Sequence, residues 1–440
     1  MVRDTAVVVL LRVFEKGEYI DTALDRSLRR RNLSERGRRF LTHLVYGVAR
    51  HYLLCDHVLT PLVTRPLESV PRPILTILRM GIFQALFCHQ VTTPSMVHTS
   101  VDLAKRHGHA GTAQLVNAVL RRAPRSLDDV SLPSSTDEPV AFISTRYSIP
   151  RWMTSMWIDE LGKEAAEAFC KASAEPAPVT LRANQLRSSA EQLMAGLAKT
   201  GYRAEKRTAI PEEATVLEGI PPVRSKLFQG GHCFVQDPAS MLPPHLLEPQ
   251  PGEKVLDLCA APGGKTTHMA ELTGGEACIV ALDRTTRKLA TTAENIRRLD
   301  APGIWLVQGD GKMAPFPEGT FDRVLVDAPC SGLGTLRRHP ELKWRTRPED
   351  INRLAVEQQA LLRAAIRLCK NTGVIVYSVC TVSQSETEGV LHSILDSEPV
   401  RREDGPEWLD TWKNGIGTYQ TNPHHDGLDG FFLTRLRKQS

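Results

Sequence analysis

At 440 residues, with nine cysteines and a net charge of +5, the chain is too long for one ordinary core and points to two or three domains. The odd cysteine count, without a CxxC pair or a metal-ligand spacing, excludes a disulfide framework and gives no reason to assign a metal, so reduced thiols in a cytoplasmic protein are expected. The opening MVRDTAVVVLLRVFEKGEY has only a short apolar run broken by Arg12, which excludes a signal peptide and a membrane span and leaves no membrane partner to expect.

In chain order, the first 125 residues read as helices, over roughly 3–16, 35–62, 73–87, 94–107 and 112–122. In PILTILRMGIFQALF the residues Ile74, Ile77, Leu78, Gly81, Ile82 and Ala85 recur at i, i+3, i+4, i+7 and i+8, which predicts one buried stripe. Pro73 suits the helix start, where its missing N–H costs nothing. This segment holds 19 Lys or Arg against 9 Asp or Glu, a balance of +10 that leaves −5 for the remainder. RSLRRRNLSERGRR (26–39) and LRRAPR (120–125) concentrate the charge, as a surface for a polyanion does; a solvated arginine-rich helix face would read the same way.

SLDDVSLPSSTDEP (126–139) lacks apolar periodicity and reads as an interdomain linker. A helix near 151–172, a strand PVTLRAN (178–184) and a helix SAEQLMAGLAKTG (189–201) then suggest a small α/β subdomain leading into HCFVQDPASML (232–242). From residue 250 onward, VLDL, IVALD, IWLVQGD, RVLVDAP and VIVYSVC are five strands mostly separated by helical stretches. They predict a parallel sheet with helices on both faces, and such sheets collect ligands at the carboxyl ends of their strands.

The chemistry-bearing residues fall at those ends. CAAPGGKTTHMAEL (259–272) contains a Gly-Gly-Lys-Thr, but a phosphate loop needs a glycine where Cys259 stands, so a nucleoside triphosphate is disfavoured. Strand, glycine turn and helix in that order favour a polar cofactor. Asp283 ends the second strand, where a carboxylate can accept from ribose hydroxyls, and Asp310 follows the third, where it can receive an adenine amino group; either can equally cap a helix or a turn. With Asp327, these acids suit an adenosine ligand bearing positive charge, S-adenosylmethionine, better than ATP. DAPCSG (327–332) and YSVCT (377–381) each bring a cysteine, Cys330 and Cys380, to the same edge. Carbon 5 of cytosine does not attack a sulfonium methyl unaided; a thiolate added at carbon 6 makes it an enamine-like nucleophile. Asp327 could hydrogen-bond the N3 and amino edge of such a base, and a second thiol could assist release. Which cysteine attacks is not decided by these residues. Trp344, Arg337 and Arg338 follow in a long loop that faces RNA, with Trp344 alternatively a hydrophobic anchor.

CAAPGGKT, DAPCSG and YSVCT, with QDPAS (236–240), HPELKW (339–344) and DGFF (429–432), resemble the RNA 5-methylcytosine methyltransferases of the NOL1/NOP2/Sun family, and SVDLAKRHGHAGTAQLVNAVLRR (100–122) resembles the NusB-like domain fused to its RsmB (Sun) branch. The resemblance implies a multidomain chain: an all-α NusB-like RNA-binding bundle (1–130), a small α/β subdomain (140–235) and an α/β Rossmann-like class I methyltransferase domain (236–440). It implies Cys380 as nucleophile, Cys330 as the residue assisting release of methylated RNA, and catalytic roles for Asp327 and Lys265. S-adenosyl-L-methionine contacts are implied for Cys259, Ala260, Ala261, Pro262, Gly263, Gly264, Lys265, Asp283, Asp310 and Asp327. The implied substrate is 16S rRNA, with no DNA partner and a monomeric protein. A transfer-RNA cytosine methyltransferase, or a NusB-like assembly factor whose methyltransferase domain only binds, are the alternatives. The chain departs from the commoner YSTCS in reading YSVCT, which keeps the thiol.

Overall fold

The stretch RPILTILRMGIFQALF forms the helix Arg72–Phe87 in the computed structural model, which describes residues 1–218 and 225–439. Its burial is wider than a stripe: besides Ile74, Ile77, Leu78, Gly81 and Ile82, the side chains of Leu75, Met80 and Phe83 are also enclosed, so this is the central helix of its bundle. Helices Val2–Lys16, Glu35–Arg50, Thr93–His107 and Ala110–Arg121 pack around it in one apolar core. Close approach is possible because two contact points lack side chains. A Cβ on Gly47 would lie 2.0 Å from the Phe83 ring, and one on Gly81 would lie 2.6 Å from Leu120. The single helix expected over 35–62 breaks at His51 into Glu35–Arg50 and Tyr52–Leu59. Part of the first basic run lies on a helix that the periodicity did not reveal, Ile20–Arg30.

This first unit comprises residues 1–175 together with 336–346. Helices Pro139–Tyr147, Arg151–Leu161 and Lys163–Ser173 belong to it, whereas the helices Ala190–Ala198 and Lys226–Gln229 fall in the second unit. The 336–346 piece, which carries HPELKW, is fastened by Lys343 Nζ to Arg50 O (2.8 Å), Trp344 Nε1 to Ala49 O (3.1 Å) and Glu341 Oε1 accepting from Ile20 N (3.1 Å). Trp344 is therefore the anchor of its loop, tilted against Tyr52 at 4.9 Å.

The second unit, residues 176–335 and 347–440, holds two sheets. Strands β1 (Val179–Ala183), β2 (Arg203–Glu205), β3 (Glu213–Glu218) and β4 (Cys233–Val235) form an antiparallel sheet in the order β2-β3-β1-β4. The larger sheet contains β5 (Lys254–Asp257), β6 (Cys278–Asp283), β7 (Ile304–Gln308), β8 (Phe321–Asp327), β9 (Cys369–Val379), β10 (Val400–Arg402), β11 (Thr418–Thr421) and β12 (Phe431–Lys438). Its order is β10-β12-β9-β8-β5-β6-β7, with β11 also on β12. The five strands expected from the apolar runs are all present and mutually parallel. Three antiparallel strands extend the sheet beyond β9; their residues are mixed in polarity and short in run, which hid them. Among the described residues no helix is long and apolar enough to cross a membrane.

Candidate active site

Strands β8 and β9 are parallel neighbours with Asp327 opposite Ser378, so the turns that follow both emerge at one edge of the sheet. There Cys330 Sγ and Cys380 Sγ lie 3.2 Å apart. That is contact without a bond, since a disulfide spans about 2.05 Å, and both thiols are free. Asp327 is held from two sides: Lys265 Nζ lies 2.6 Å from one carboxylate oxygen and Ser378 Oγ donates to the other at 2.7 Å. Lys265 thus joins the glycine turn to the strand that delivers Cys330, and it also lies over Phe431 of the DGFF stretch at 5.3 Å.

The glycine turn follows β5. Ala260 N donates to Leu282 O (2.9 Å) and Gly263 N to Ala260 O (2.7 Å), and the helix Gly264–Leu272 begins at once. Gly263 has φ +95°, and a Cβ there would lie 2.7 Å from Thr292 Cγ2, so two independent constraints select glycine. Pro262 O accepts from Asn295 Nδ2 at 3.0 Å. Asp283, at the end of β6, accepts from Thr285 N (2.9 Å) and Ala261 N (3.4 Å), while Asp310 caps the short turn Gly311–Met313 by accepting from Lys312 N (3.0 Å). Both acids therefore make the local turn contacts their sequence context allowed, and Asp283 also touches the glycine turn.

The electrostatics of this edge are acidic. Asp257 is buried, with Thr266 Oγ1 donating to it at 2.6 Å, and burial pushes its carboxyl up to about 7 despite that bond. Cys259 is held well above the ordinary thiol range by burial and then by Asp257, Asp327, Asp283 and Glu357. Carboxylates on four elements converging on one turn can hold a cationic ligand and would repel a triphosphate. Glu357, from the helix Pro348–Leu368, was not singled out in the sequence because nothing in a helical run shows which acid faces the sheet edge.

Cys330 is also kept as a thiol, by its hydrogen bond with Cys380, by burial, and by the Cys380 and Glu386 charges. Glu386 is a second residue that sequence reasoning missed. It is fully enclosed and accepts from Ser331 N at 2.8 Å and Ser331 Oγ at 2.5 Å.

The smaller sheet supports the same turn. Arg182 of β1 is fully buried and bonds Gly264 O (2.5 Å), Thr267 Oγ1 (2.9 Å), both oxygens of Glu271 (2.7 and 3.1 Å) and Gln236 of the QDPAS stretch. Nearby, the fold brings together histidines that show no ligand spacing in sequence. His245 Nε2 and His268 Nε2 lie 2.9 and 2.7 Å from the same oxygen of buried Glu212, and the ligand atoms of all three are within 4.8 Å of one another.

The 16S rRNA methyltransferase RsmB/F family model matches residues 244–437, the NusB family model matches 1–125, and a ferredoxin-like domain model of RsmF/B-like methyltransferases matches 149–224, of which 219–224 lie outside the described residues. The ribosomal RNA small subunit methyltransferase B of Thermus thermophilus is 36% identical over 439 residues, covering 99% of this chain and 97% of its own length. The crystal structure of PH0851 superposes with a TM-score of 0.83 at 25% identity over 99% of each chain. That of NSun6 from Pyrococcus horikoshii with SFG gives a TM-score of 0.61 at 25% identity, covering 66% of this chain and 98% of that one.

Proposed function

From the premise that this chain belongs to the 16S rRNA methyltransferase RsmB/F family, we propose that it uses S-adenosylmethionine to methylate carbon 5 of a cytosine in small-subunit rRNA through a cysteine adduct at carbon 6. The observation that carries the reading is the pair of free thiols 3.2 Å apart at adjacent parallel strand ends, beside a Lys265–Asp327 pair that reaches back to the glycine turn.

The acidic turn around Cys259 fits the cofactor's positive charge, and the close packing of Gly263 against Thr292 shapes a backbone cradle. S-adenosylmethionine supplies an electrophilic methyl group there. The protein's part is to make carbon 5 attack it. Cys380 adds as thiolate to carbon 6 of the flipped base, the displaced electron pair moves to N3, and N3 takes up a proton passed from Lys265 through Asp327, whose carboxylate then accepts from the N3–H and amino group of the base edge. Lys265 and Ser378 fix that carboxylate in place for the purpose. After transfer, N3 returns its proton to the Lys265–Asp327 pair, a water molecule takes the carbon 5 proton, the bonding pair left behind restores the 5,6 double bond, and the sulfur departs from carbon 6 as thiolate. Cys330, placed beside that sulfur and retaining its own proton strongly, assists the release. The basic helices of residues 1–125 bind rRNA phosphates in a cytoplasmic, monomeric enzyme.

The test incubates protein with labelled S-adenosylmethionine and undermodified rRNA. Wild type should form 5-methylcytosine, Cys380→Ala none, and Cys330→Ala should accumulate a covalent protein–RNA adduct. Methylation that survives Cys380→Ala but not Cys330→Ala would reverse the assignment of the thiols.

A further inference from the structure

Glu386 lies six residues beyond Cys380, in the turn Gln384–Glu386, and its side chain is fully enclosed. Burying a carboxylate is costly unless donors surround it, and here they do. Ser331 N (2.8 Å) and Gln358 Nε2 (3.0 Å) bond one oxygen; Ser331 Oγ (2.5 Å) and Thr381 Oγ1 (3.2 Å) bond the other. Ser331 Oγ and Thr381 Oγ1 are also 2.8 Å from each other. The donors are not a random set. Ser331 follows Cys330 in the chain and Thr381 follows Cys380, and Gln358 Nε2 additionally bonds Pro329 O (3.0 Å), the residue before Cys330. Tyr377, three residues before Cys380, closes the circuit by donating to Glu386 O (2.7 Å) and Gln358 Oε1 (3.1 Å). One carboxylate therefore grips both sulfur-bearing turns at the residues adjoining the sulfurs.

Resting on the thiol chemistry proposed above, we infer that Glu386 is a positioning residue, which holds the Cys330 and Cys380 turns in the mutual register that adduct formation and release require. It touches neither substrate nor cofactor and acts through Ser331 and Thr381. Its partners separate its effect from cofactor binding: among the described residues, the donors to the Glu386 carboxylate are Ser331, Gln358 and Thr381, and none lies within 259–265.

The test compares wild type with Glu386→Gln, which keeps the volume but places an amide N–H₂ against groups that themselves donate. Three readouts are taken on the full chain: S-adenosylmethionine affinity, the single-turnover rate of methyl transfer, and the rate at which azodicarboxamide joins Cys330 to Cys380, a reaction in which two thiols lose two electrons and two protons to the reagent. The inference expects affinity within about 2-fold of wild type, and transfer slower by about 10- to 100-fold, since a misplacement near 1 Å has that effect. Disulfide formation should slow as well. A folded variant with wild-type rates of transfer and of thiol coupling would overturn it. If Glu386→Gln no longer binds S-adenosylmethionine, Ser331→Ala, which removes a single hydroxyl donor, takes its place with the same expected signs and the same overturning result. The underlying reading is checked separately by trapping wild type on RNA containing 5-fluorocytosine. Absence of a wild-type adduct defeats the thiol mechanism, whereas an adduct formed equally fast by wild type and Glu386→Gln defeats only the role of Glu386.

Discussion

At the scale of the residue, His268 shows how a side chain in a motif serves two purposes. It sits on the helix that begins at the glycine turn, yet it is fully buried and faces Glu212 rather than the cofactor edge. Burial lowers its pKa to about 3, whereas an unfolded histidine binds a proton near 6.5. Between those values the unfolded state holds more protons than the native one, so stability is fully present above about pH 6.5 and is lost as the pH falls toward 3. The expected outcome is a Tm that declines as the pH is lowered from about 7.5 to about 5, and a shallower decline in His268→Gln, which cannot titrate. Equal slopes for the two proteins would show that His268 is not responsible. Neither the burial of His268 nor that of Glu386 could be read from the chain, because a histidine or glutamate in a polar run looks the same whether solvent or a buried partner meets it. The meeting of Cys330, Cys380 and Lys265 at one sheet edge was legible because each follows a strand end of the alternating pattern.

At the scale of the element, β1 illustrates a strand whose importance lies in what it reaches. Its buried Arg182 bonds the first carbonyl of the helix Gly264–Leu272 and pairs with Glu271 on the same helix, both side chains having no exposed surface. Removing one member of such a pair leaves a bare buried charge, at about 3–5 kcal/mol. Arg182→Met should lose that much stability in chemical denaturation and raise the KM for S-adenosylmethionine, while the double variant with Glu271→Leu should regain most of the stability. A single variant as stable as wild type would refute the account. The parallel strands β5, β6, β8 and β9 were legible from continuous apolar runs, since a strand buried on both faces has no polar alternation to confuse it, while β7, at the sheet edge, keeps an apolar run although Trp305 and Leu306 are exposed. Strands β10 to β12 were not, because their outer residues are solvated or paired: Arg435 and Arg437 bind Glu403, and no apolar period survives in the sequence. The helix Arg72–Phe87, buried all round, reads as a striped one for a related reason. Its Arg79 is enclosed by Asp56 at 2.6 and 2.8 Å and lies over the Tyr52 ring, so a charge marks an interior position.

At the scale of the whole molecule, charge is divided along the chain, +10 over residues 1–125 and −5 over the remainder. Exposed arginines of the first basic run, Arg29, Arg30, Arg36 and Arg39, are available to phosphates. RNA affinity should therefore fall steeply with salt, and replacing Arg29, Arg30 and Arg36 by alanine should reduce the slope of log K against log salt by about 0.7–0.9 for each phosphate that is no longer neutralised. A slope unchanged by the triple substitution would place the RNA-binding surface elsewhere.

The same molecule has a built-in delay. Residues 336–346 supply Glu341, Lys343 and Trp344 to the interior of the first unit, so a ribosome that has finished residue 175 has not yet made everything that unit needs. Residues 176–335 must come first, which at about 5–20 residues per second takes about 8–32 s. During that interval the nascent helices wait with Ala49 O, Arg50 O and Ile20 N unclaimed by their eventual partners.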